Sequence, residues 1–309
     1  SKPFRSLFTR INKVPYKDSF SEGKYYRGDE IVRDLEKTLL SFQPSRIFVT
    51  APFDLNTDHQ AAYLYLEVAL MNLREQLIPV PKVHLYVIHA HQWPKPKKFM
   101  PESVLQIPTH IDWAQDVHWD KISLSSRETM KKSEVILKYK SQVAYKKNFL
   151  LAFARANEIM ADYPNEKLVY PASTAPEEGS STEVVPKNSD VLYEIRGKEL
   201  WIRIPLSNIL DEMGVLSSCV FSYRKGFLFS DMPKLSFKVF GNKMFVYDGF
   251  KNVYDPEIVY RLKNNHVSIR IPLRILKDPD YLFVSTRNAK EQLSLDFGAW
   301  KILEIVKPA

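Results

Sequence analysis

The sequence predicts a two-domain protein in which an α/β domain with a parallel sheet is followed by an all-β sandwich. Helix-type and strand-type segments alternate in the first half of the 309-residue chain, whereas short segments with a period of two residues dominate its last third. Between them, residues 164–189 are rich in Pro, Ser, Thr, Glu and Gly, which is typical of a linker. We therefore place the two domains at residues 1–163 and 190–309.

Two helix–strand pairs define the α/β domain. Asp29 is placed to cap a helix whose apolar residues recur at helical spacing as far as Phe42, and residues 46–51 then form a nearly all-apolar strand. A second helix begins near Asp58 and is followed by a second apolar run at residues 83–89. This order predicts parallel pairing of the two strands through a right-handed crossover.

The rest of this domain is predicted to be a loop and a helix. Residues 90–121 are rich in proline and tryptophan, and we interpret them as a long ordered loop. Ser125 and Glu128 form a capping box, and the helix that it opens is expected to run to about Met160.

The second domain is predicted only from the alternation of apolar and polar residues along short segments. Seven short segments with alternating side chains and turn residues between them are found at 193–196, 200–205, 235–240, 244–247, 267–272, 281–285 and 300–305. Strands of this length and spacing in about 120 residues are typical of a β-sandwich.

Composition excludes several classes of protein. The apolar runs are far shorter than the roughly 20 residues that span a bilayer, so no membrane span is expected. Cys219 is the only cysteine, which excludes an internal disulfide and fits a reducing compartment such as the cytoplasm. The net charge of +8 is divided evenly between residues 1–189 and 190–309, so no nucleic-acid partner is expected. A basic run at residues 127–147 is interpreted as a solvated helix face.

Polar side chains that could carry chemistry follow the first predicted strand. They are Asp54, Asn56, Asp58 and His59. Ligands bind at the carboxyl ends of parallel strands, and His89 ends the second strand, so we expect His89 to lie near His59. The alternative interpretation is that Asp54 and Asp58 are turn and cap residues and that His59 is an ordinary side chain of the first helical turn. The chain contains neither a glycine-rich phosphate loop nor a Gly-x-Ser-x-Gly motif.

Residues 28–36 and 43–59, together with residues 86–89 and the Trp93-Pro94 pair, resemble the PIG-L (LmbE-like) family of zinc-dependent N-deacetylases. The resemblance covers about half of the chain, from Arg10 to Met160. It implies a Rossmann-like sheet, a zinc ion and a substrate that is an N-acetylated amino sugar, such as N-acetylglucosamine, or a glycoconjugate.

The resemblance makes His59 a zinc ligand. Strand-end geometry suggests three further roles: Asp58 orients His59 or the zinc-bound water, Asn56 polarises the substrate carbonyl, and His89 contacts the substrate or the developing oxyanion. Asp54 and Trp93 are assigned to substrate binding. Zinc would lower the pKa of its bound water and polarise the carbonyl, which is the chemistry that amide hydrolysis needs.

The family's N-terminal His-Pro-Asp-Asp motif does not occur in this sequence, and residues 1–28 contain no histidine. Because one histidine does not hold a catalytic zinc, we expect this chain alone to be inactive. Two interpretations stay open. Either the native protein carries the motif upstream and is a deacetylase, or the chain is a non-catalytic pseudoenzyme or an interaction module.

The second domain weakly resembles family-9-type carbohydrate-binding sandwiches, which implies a glycan partner. Aromatic side chains that could stack on a sugar are Tyr223, Tyr247, Tyr254 and Tyr260. The alternative is that these rings fill the core of the sandwich.

Overall fold

A computed structural model describes the chain over residues 3–109, 117–170, 191–205, 215–240, 243–263, 266–289 and 299–307. Most of the predicted linker, residues 171–189, lies outside these ranges. The chain divides into two compact units. We call residues 39–64 and 75–164 the mixed unit, and residues 1–38, 65–74 and 165–309 the β unit.

The helices and strands up to residue 162 are α1 (Gly28–Phe42), β1 (Arg46–Thr50), α2 (Thr57–Leu73), β2 (Lys82–Tyr86), β3 (His118–Ser123), α3 (Ser126–Lys138), α4 (Lys140–Leu151) and β4 (Asn157–Asp162). The predicted capping box opens α3, since the Ser125 and Glu128 side chains each accept the other's main-chain N–H. None of the described helices is long and apolar enough to cross a bilayer.

The sheet of the mixed unit has the order β1-β2-β4-β3, and only one of its pairings is parallel. β1 and β2 run parallel, in register from Arg46 opposite Lys82 to Thr50 opposite Tyr86. β4 is antiparallel to both β2 and β3. The predicted fold class, with its Rossmann-like parallel sheet, is therefore wrong. The described part of the chain is rich in strands that form mixed and antiparallel sheets.

The strands that change the topology are β3 and β4, neither of which was predicted. The predicted helix to Met160 is broken at Tyr139 and ends at Leu151, and β4 follows it. Side chains of β4 alternate between buried and partly exposed positions, with Ile159 and Ala161 facing inward. The segment predicted as a loop ends in β3, which pairs with β4 along its whole length.

The β unit contains β5 (Glu166–Val169), β6 (Leu192–Arg196), β7 (Glu199–Pro205), β8 (Val215–Tyr223), β9 (Lys234–Phe240), β10 (Lys243–Asp248), β11 (Lys251–Asn252), β12 (Val259–Lys263), β13 (His266–Pro272), β14 (Tyr281–Ala289) and β15 (Lys301–Val306). They form a seven-stranded sheet, β11-β10-β9-β8-β14-β15-β5, and a four-stranded sheet, β12-β13-β7-β6. β5, which pairs with β15 in parallel, lies inside the segment predicted as a linker.

Both sheets of the β unit contribute side chains to one buried cluster. Ile202 and Ile269 come from the four-stranded sheet, and Phe237 and Leu282 from the seven-stranded sheet, and all four are fully buried. Burial of such a side chain contributes about 1.5–3 kcal/mol. The period of two in the sequence thus reflects sheets that each turn one face toward this core.

Candidate functional site at the ends of β1 and β2

The carboxylate of Asp54 connects the segments that follow β1 and β2. Its Oδ2 accepts the main-chain N–H groups of Ile88, at 2.7 Å, and His89, at 2.9 Å. Its Oδ1 accepts the N–H of Asn56 at 2.9 Å. Asp54 is fully buried, and these three donors compensate for the loss of its hydration. Three main-chain N–H groups thus fill acceptor positions on its two oxygens, and the substrate contact assigned to Asp54 stays a prediction.

Main-chain hydrogen bonds extend the parallel pairing beyond the two strands. The N–H of Ala51 donates to the carbonyl of Tyr86 at 2.8 Å, and the N–H of Leu55 donates to that of His89 at 2.9 Å. The side chain of Gln60, in the first turns of α2, donates to the Asp54 carbonyl at 2.8 Å. The two strand ends are thus held together by side-chain and main-chain contacts.

The ring of His59 lies against Asp54 and beside His89. Its Nδ1 is 3.1 Å from Asp54 Oδ1, and its centroid is 5.2 Å from that of His89. Nδ1 is buried and, although it is in close contact with Asp54, it makes no hydrogen bond of ordinary geometry among the described residues. With Nδ1 facing the carboxylate, Nε2 is the nitrogen left to meet a ligand.

His89 packs flat on an aromatic ring. Its centroid is 5.8 Å from that of Phe149, with an angle of 13° between the planes. Burial lowers the pKa of His89 below the ordinary histidine value, and His59 and Lys146 lower it too, while the Asp54 carboxylate opposes them. The imidazole is therefore neutral at pH 7, with one nitrogen to donate and one to accept.

Asn56 and Asp58 begin α2. Asn56 Oδ1 accepts the N–H of Asp58 at 2.8 Å and, more weakly, that of His59 at 3.4 Å, so Asn56 is the helix cap. The carboxylate next to His59 is that of Asp54, whereas Asp58 is exposed. Asp54 is thus the carboxylate in a position to orient His59, and the orienting role assigned to Asp58 stays a prediction. Asn56 keeps its amide N–H groups as potential donors.

Trp93 lies at the far end of a row of aromatic rings. It is 7% exposed, its Nε1 donates to the Gln106 carbonyl at 2.8 Å, and its ring meets the edge of Phe153 at 5.1 Å. Phe153 contacts Phe149, which in turn stacks on His89. The Trp93 ring is thus buried and its Nε1 donor is used within the protein, and the substrate contact assigned to Trp93 stays a prediction.

Sequence reasoning missed the position of Phe149 and Lys146 beside His89, because both lie on a helix about 60 residues away in the chain. A local signal did exist for Asp54. An Asp two residues before an Asn favours a turn in which the carboxylate accepts the later N–H, which is the alternative interpretation given above.

The described residues fit part of a zinc site. No group of three or more His, Cys, Asp or Glu side chains in the described ranges is placed to hold a metal ion. His59, with a carboxylate behind its Nδ1, fits one ligand position of a catalytic zinc. Asp54 does not fit a ligand position, because three N–H groups occupy its oxygens.

The four tyrosines of the β unit have different environments. Tyr223 is buried and donates to Asn72 Oδ1, and burial raises its pKa to about 12. Tyr260 packs against the core, and Tyr247 is half-buried with the Lys238 ammonium 5.5 Å from its ring centre. Tyr254 alone of the four is exposed. Stacking on a sugar is thus open to Tyr254 and not to Tyr223.

Comparison with known proteins adds no further information to this geometry: no family model matches the chain, and no curated protein matches it.

Proposed function

We propose that this protein is a hydrolase that removes the acetyl group from an N-acetylated amino sugar or glycoconjugate, at a reaction centre beside His59. The observation that carries the proposal is the position of Asp54, which holds the N–H of His89 and faces Nδ1 of His59 at the same time. A carboxylate beside Nδ1 favours the orientation in which Nε2 faces outward, and catalytic and metal-binding histidines have a carboxylate at this position.

The side chains at the strand ends have the groups that an acetamide would meet. Neutral His89 can donate an N–H to an oxygen that gains negative charge, and the Asn56 amide can donate to the carbonyl. Asp58, exposed in the first turn of α2, is the carboxylate able to accept a proton from water. The stacked Phe149 ring shields one side of His89 from solvent.

The family resemblance adds zinc, which in such enzymes polarises the carbonyl and lowers the pKa of bound water. His59 is the residue of this chain that would bind it, through Nε2. The described residues supply this one ligand of such a site.

The test combines zinc content by elemental analysis with release of free amine from N-acetylglucosamine conjugates, both on the full-length gene product. We expect His59→Ala to lose zinc and to lower activity by on the order of 100-fold or more. His118→Ala is the matched control, because His118 is an exposed histidine on β3, and it should retain both properties. A His59→Ala protein that keeps its zinc and its activity would refute the proposal.

A non-catalytic, glycan-binding role is the second candidate, favoured by the exposed ring of Tyr254, which offers a face for a sugar. On a glycan array, Tyr254→Ala would lose the signal, while Tyr145→Ala, a similarly exposed tyrosine on α4, would keep it. No glycan retained by the unmodified chain would exclude this role.

A further inference from the structure

A turn near the start of the described chain holds apolar side chains out in solvent. Phe8 is 98% exposed and Leu7 is 77% exposed, and both lie in the turn formed by residues 6–10. Phe4, just before the turn, is also largely exposed. We call residues 4–10 the apolar tip. Exposed apolar groups that lie close together mark a surface that meets another apolar phase.

Hydrogen bonds hold the apolar tip in one conformation. The N–H of Ser6 donates to the Ile11 carbonyl at 2.9 Å, and the N–H of Arg10 donates back to the Ser6 carbonyl at 3.0 Å. Ser6 Oγ accepts the N–H of Thr9 at 3.2 Å, and Arg5 Nε donates to the Arg10 carbonyl at 2.8 Å. Because the turn is already ordered, insertion of Leu7 and Phe8 into another phase requires little further loss of chain entropy.

The segment that contains the apolar tip carries an excess of positive charge. Residues 3–27 contain six Lys or Arg residues but only Asp18 and Glu22 as acids, an excess of four positive charges. Arg5 and Arg10 flank the two exposed apolar side chains. In the same segment Lys24 is paired with Glu30 and Asp34, whereas neither Arg5 nor Arg10 makes an ion pair with another described residue. The partner that this segment fits is therefore both anionic and apolar.

We propose that the apolar tip docks on the surface of an anionic lipid bilayer, with Leu7 and Phe8 inserted at the boundary between headgroups and acyl chains and with Arg5 and Arg10 contacting lipid phosphates. Peripheral binding of this kind combines buried apolar area with attraction to anionic lipids. A nucleic acid would match the charge as well, and the Phe4 and Phe8 rings have faces that can stack on bases. The aliphatic Leu7 side chain has no such face, and its exposure beside Phe8 favours insertion into lipid.

The test is co-sedimentation of the 309-residue chain with vesicles. One set is phosphatidylcholine alone, and the other contains about one-third phosphatidylserine. We expect binding to the anionic vesicles only. Substitution Leu7→Ser with Phe8→Ser should weaken it by on the order of tenfold or more, because the inserted area is lost. Phe250→Ser is the matched control, since Phe250 is fully exposed at a turn between β10 and β11, and it should bind like the unmodified chain.

A second pair of variants separates charge from insertion. The double variant Arg5→Gln, Arg10→Gln should bind more weakly, and its binding should depend less on salt. The salt dependence is measured by raising NaCl from about 0.1 M to about 1 M, which shortens the screening length from ~10 Å to ~3 Å. If binding depends on these arginines but is unchanged by the loss of Leu7 and Phe8, the segment is a general polyanion site and the proposal is overturned. Equal binding to neutral and anionic vesicles would also overturn it, and so would the absence of binding to both kinds of vesicle. Circular dichroism identical to that of the unmodified chain confirms that each variant is folded.

Discussion

Asp54 accepts the main-chain N–H of His89 through Oδ2 at 2.9 Å, although 35 residues separate them in the chain. The same carboxylate faces Nδ1 of His59 through its other oxygen, at 3.1 Å. One buried side chain therefore sets the spacing of two strand ends and the orientation of a histidine. The Asp54 carboxylate belongs both to the fold and to the candidate site. Stability, zinc content and activity must therefore be measured on the same variants.

Asp54→Asn is expected to destabilise the protein by about 2–4 kcal/mol. An amide offers one acceptor oxygen in place of two, and its NH₂ group would face N–H donors that then stay unsatisfied. The measurement is urea unfolding at pH 7. Asp58→Asn is the matched control, since Asp58 is exposed four residues later, and it should cost less than about 1 kcal/mol through the helix dipole. Equal losses in the two variants would show that Asp54 does not hold the strand ends.

His89 is expected to titrate below the ordinary range of histidine, and Lys146 contributes to the shift. Burial disfavours the imidazolium, and the Lys146 ammonium repels it. Lys146→Gln should therefore raise the pKa of His89, and Asp54→Asn should lower it further. The chemical shift of the ring proton in NMR spectra follows this titration. Lys147→Gln, the adjacent lysine on α4, is the control and should have a smaller effect.

The pH dependence of stability follows from the same shift. A histidine whose pKa is lower in the folded protein binds its proton more readily when unfolded. The stability that His89 contributes is present when the pH is above its pKa in the unfolded chain, near 6.5. It falls as the pH drops toward the lower pKa that His89 has in the folded protein. The free energy of unfolding is measured across this window for the unmodified protein and for His89→Phe. A rise on acidification that is seen in the unmodified protein and is absent from His89→Phe would contradict the expected direction.

The β unit was largely predictable from sequence because its apolar residues alternate. Each of the seven predicted segments overlaps a strand, although Trp300 precedes β15. β8 was not predicted, because Ser218 and Ser222 occupy positions that face inward. The Ser218 hydroxyl lies 3.0 Å from that of Thr286, and Ser222 Oγ donates to the Pro233 carbonyl at 3.2 Å. Partners distant in sequence allow these polar side chains to be buried, and no local pattern shows them.

The sheet of the mixed unit was mispredicted for the same physical reason. β4 begins with Asn157, a polar residue that is buried because it accepts the N–H of Leu105 at 2.6 Å and donates to its carbonyl at 3.2 Å. Leu105 lies about 50 residues upstream, so the sequence around Asn157 does not indicate that this polar residue belongs to a buried strand. The closeness of His59 and His89, by contrast, required only the parallel pairing of β1 and β2.

Tyr223→Phe tests a hydrogen-bonded row inside the β unit. The Tyr223 hydroxyl donates to Asn72 Oδ1, and Asn72 Nδ2 donates to Glu36 Oε1 at 2.5 Å, so the row joins β8, α2 and α1. Removal of the hydroxyl leaves the Asn72 oxygen without this donor, and we expect a loss of about 1–2 kcal/mol in urea unfolding. Tyr254→Phe removes an exposed hydroxyl and should leave the free energy of unfolding unchanged.

Glu67 is expected to make the protein less stable as the pH rises from about 4.5 to about 7. Glu67 lies on α2 in the β unit, where burial raises its pKa to about 7 and a hydrogen bond with Asn165 opposes the rise. Between the unfolded value of 4.5 and the folded value, the folded protein keeps a proton that the unfolded chain has lost. The free energy of unfolding therefore falls with rising pH, by on the order of 3 kcal/mol over the window.

Glu67→Gln removes this dependence, since the amide stays neutral at every pH and mimics the protonated acid. The variant should match the unmodified protein near pH 4.5 and exceed it in stability at pH 8. Urea unfolding at several pH values measures the difference. Glu134→Gln, at an exposed position on α3, should leave the slope unchanged, because its carboxylate is solvated and makes only a surface ion pair with Lys131. A Glu67→Gln protein that is less stable than the unmodified one at pH 8 would show that the carboxylate is ionised and paired in the folded state, contrary to its burial.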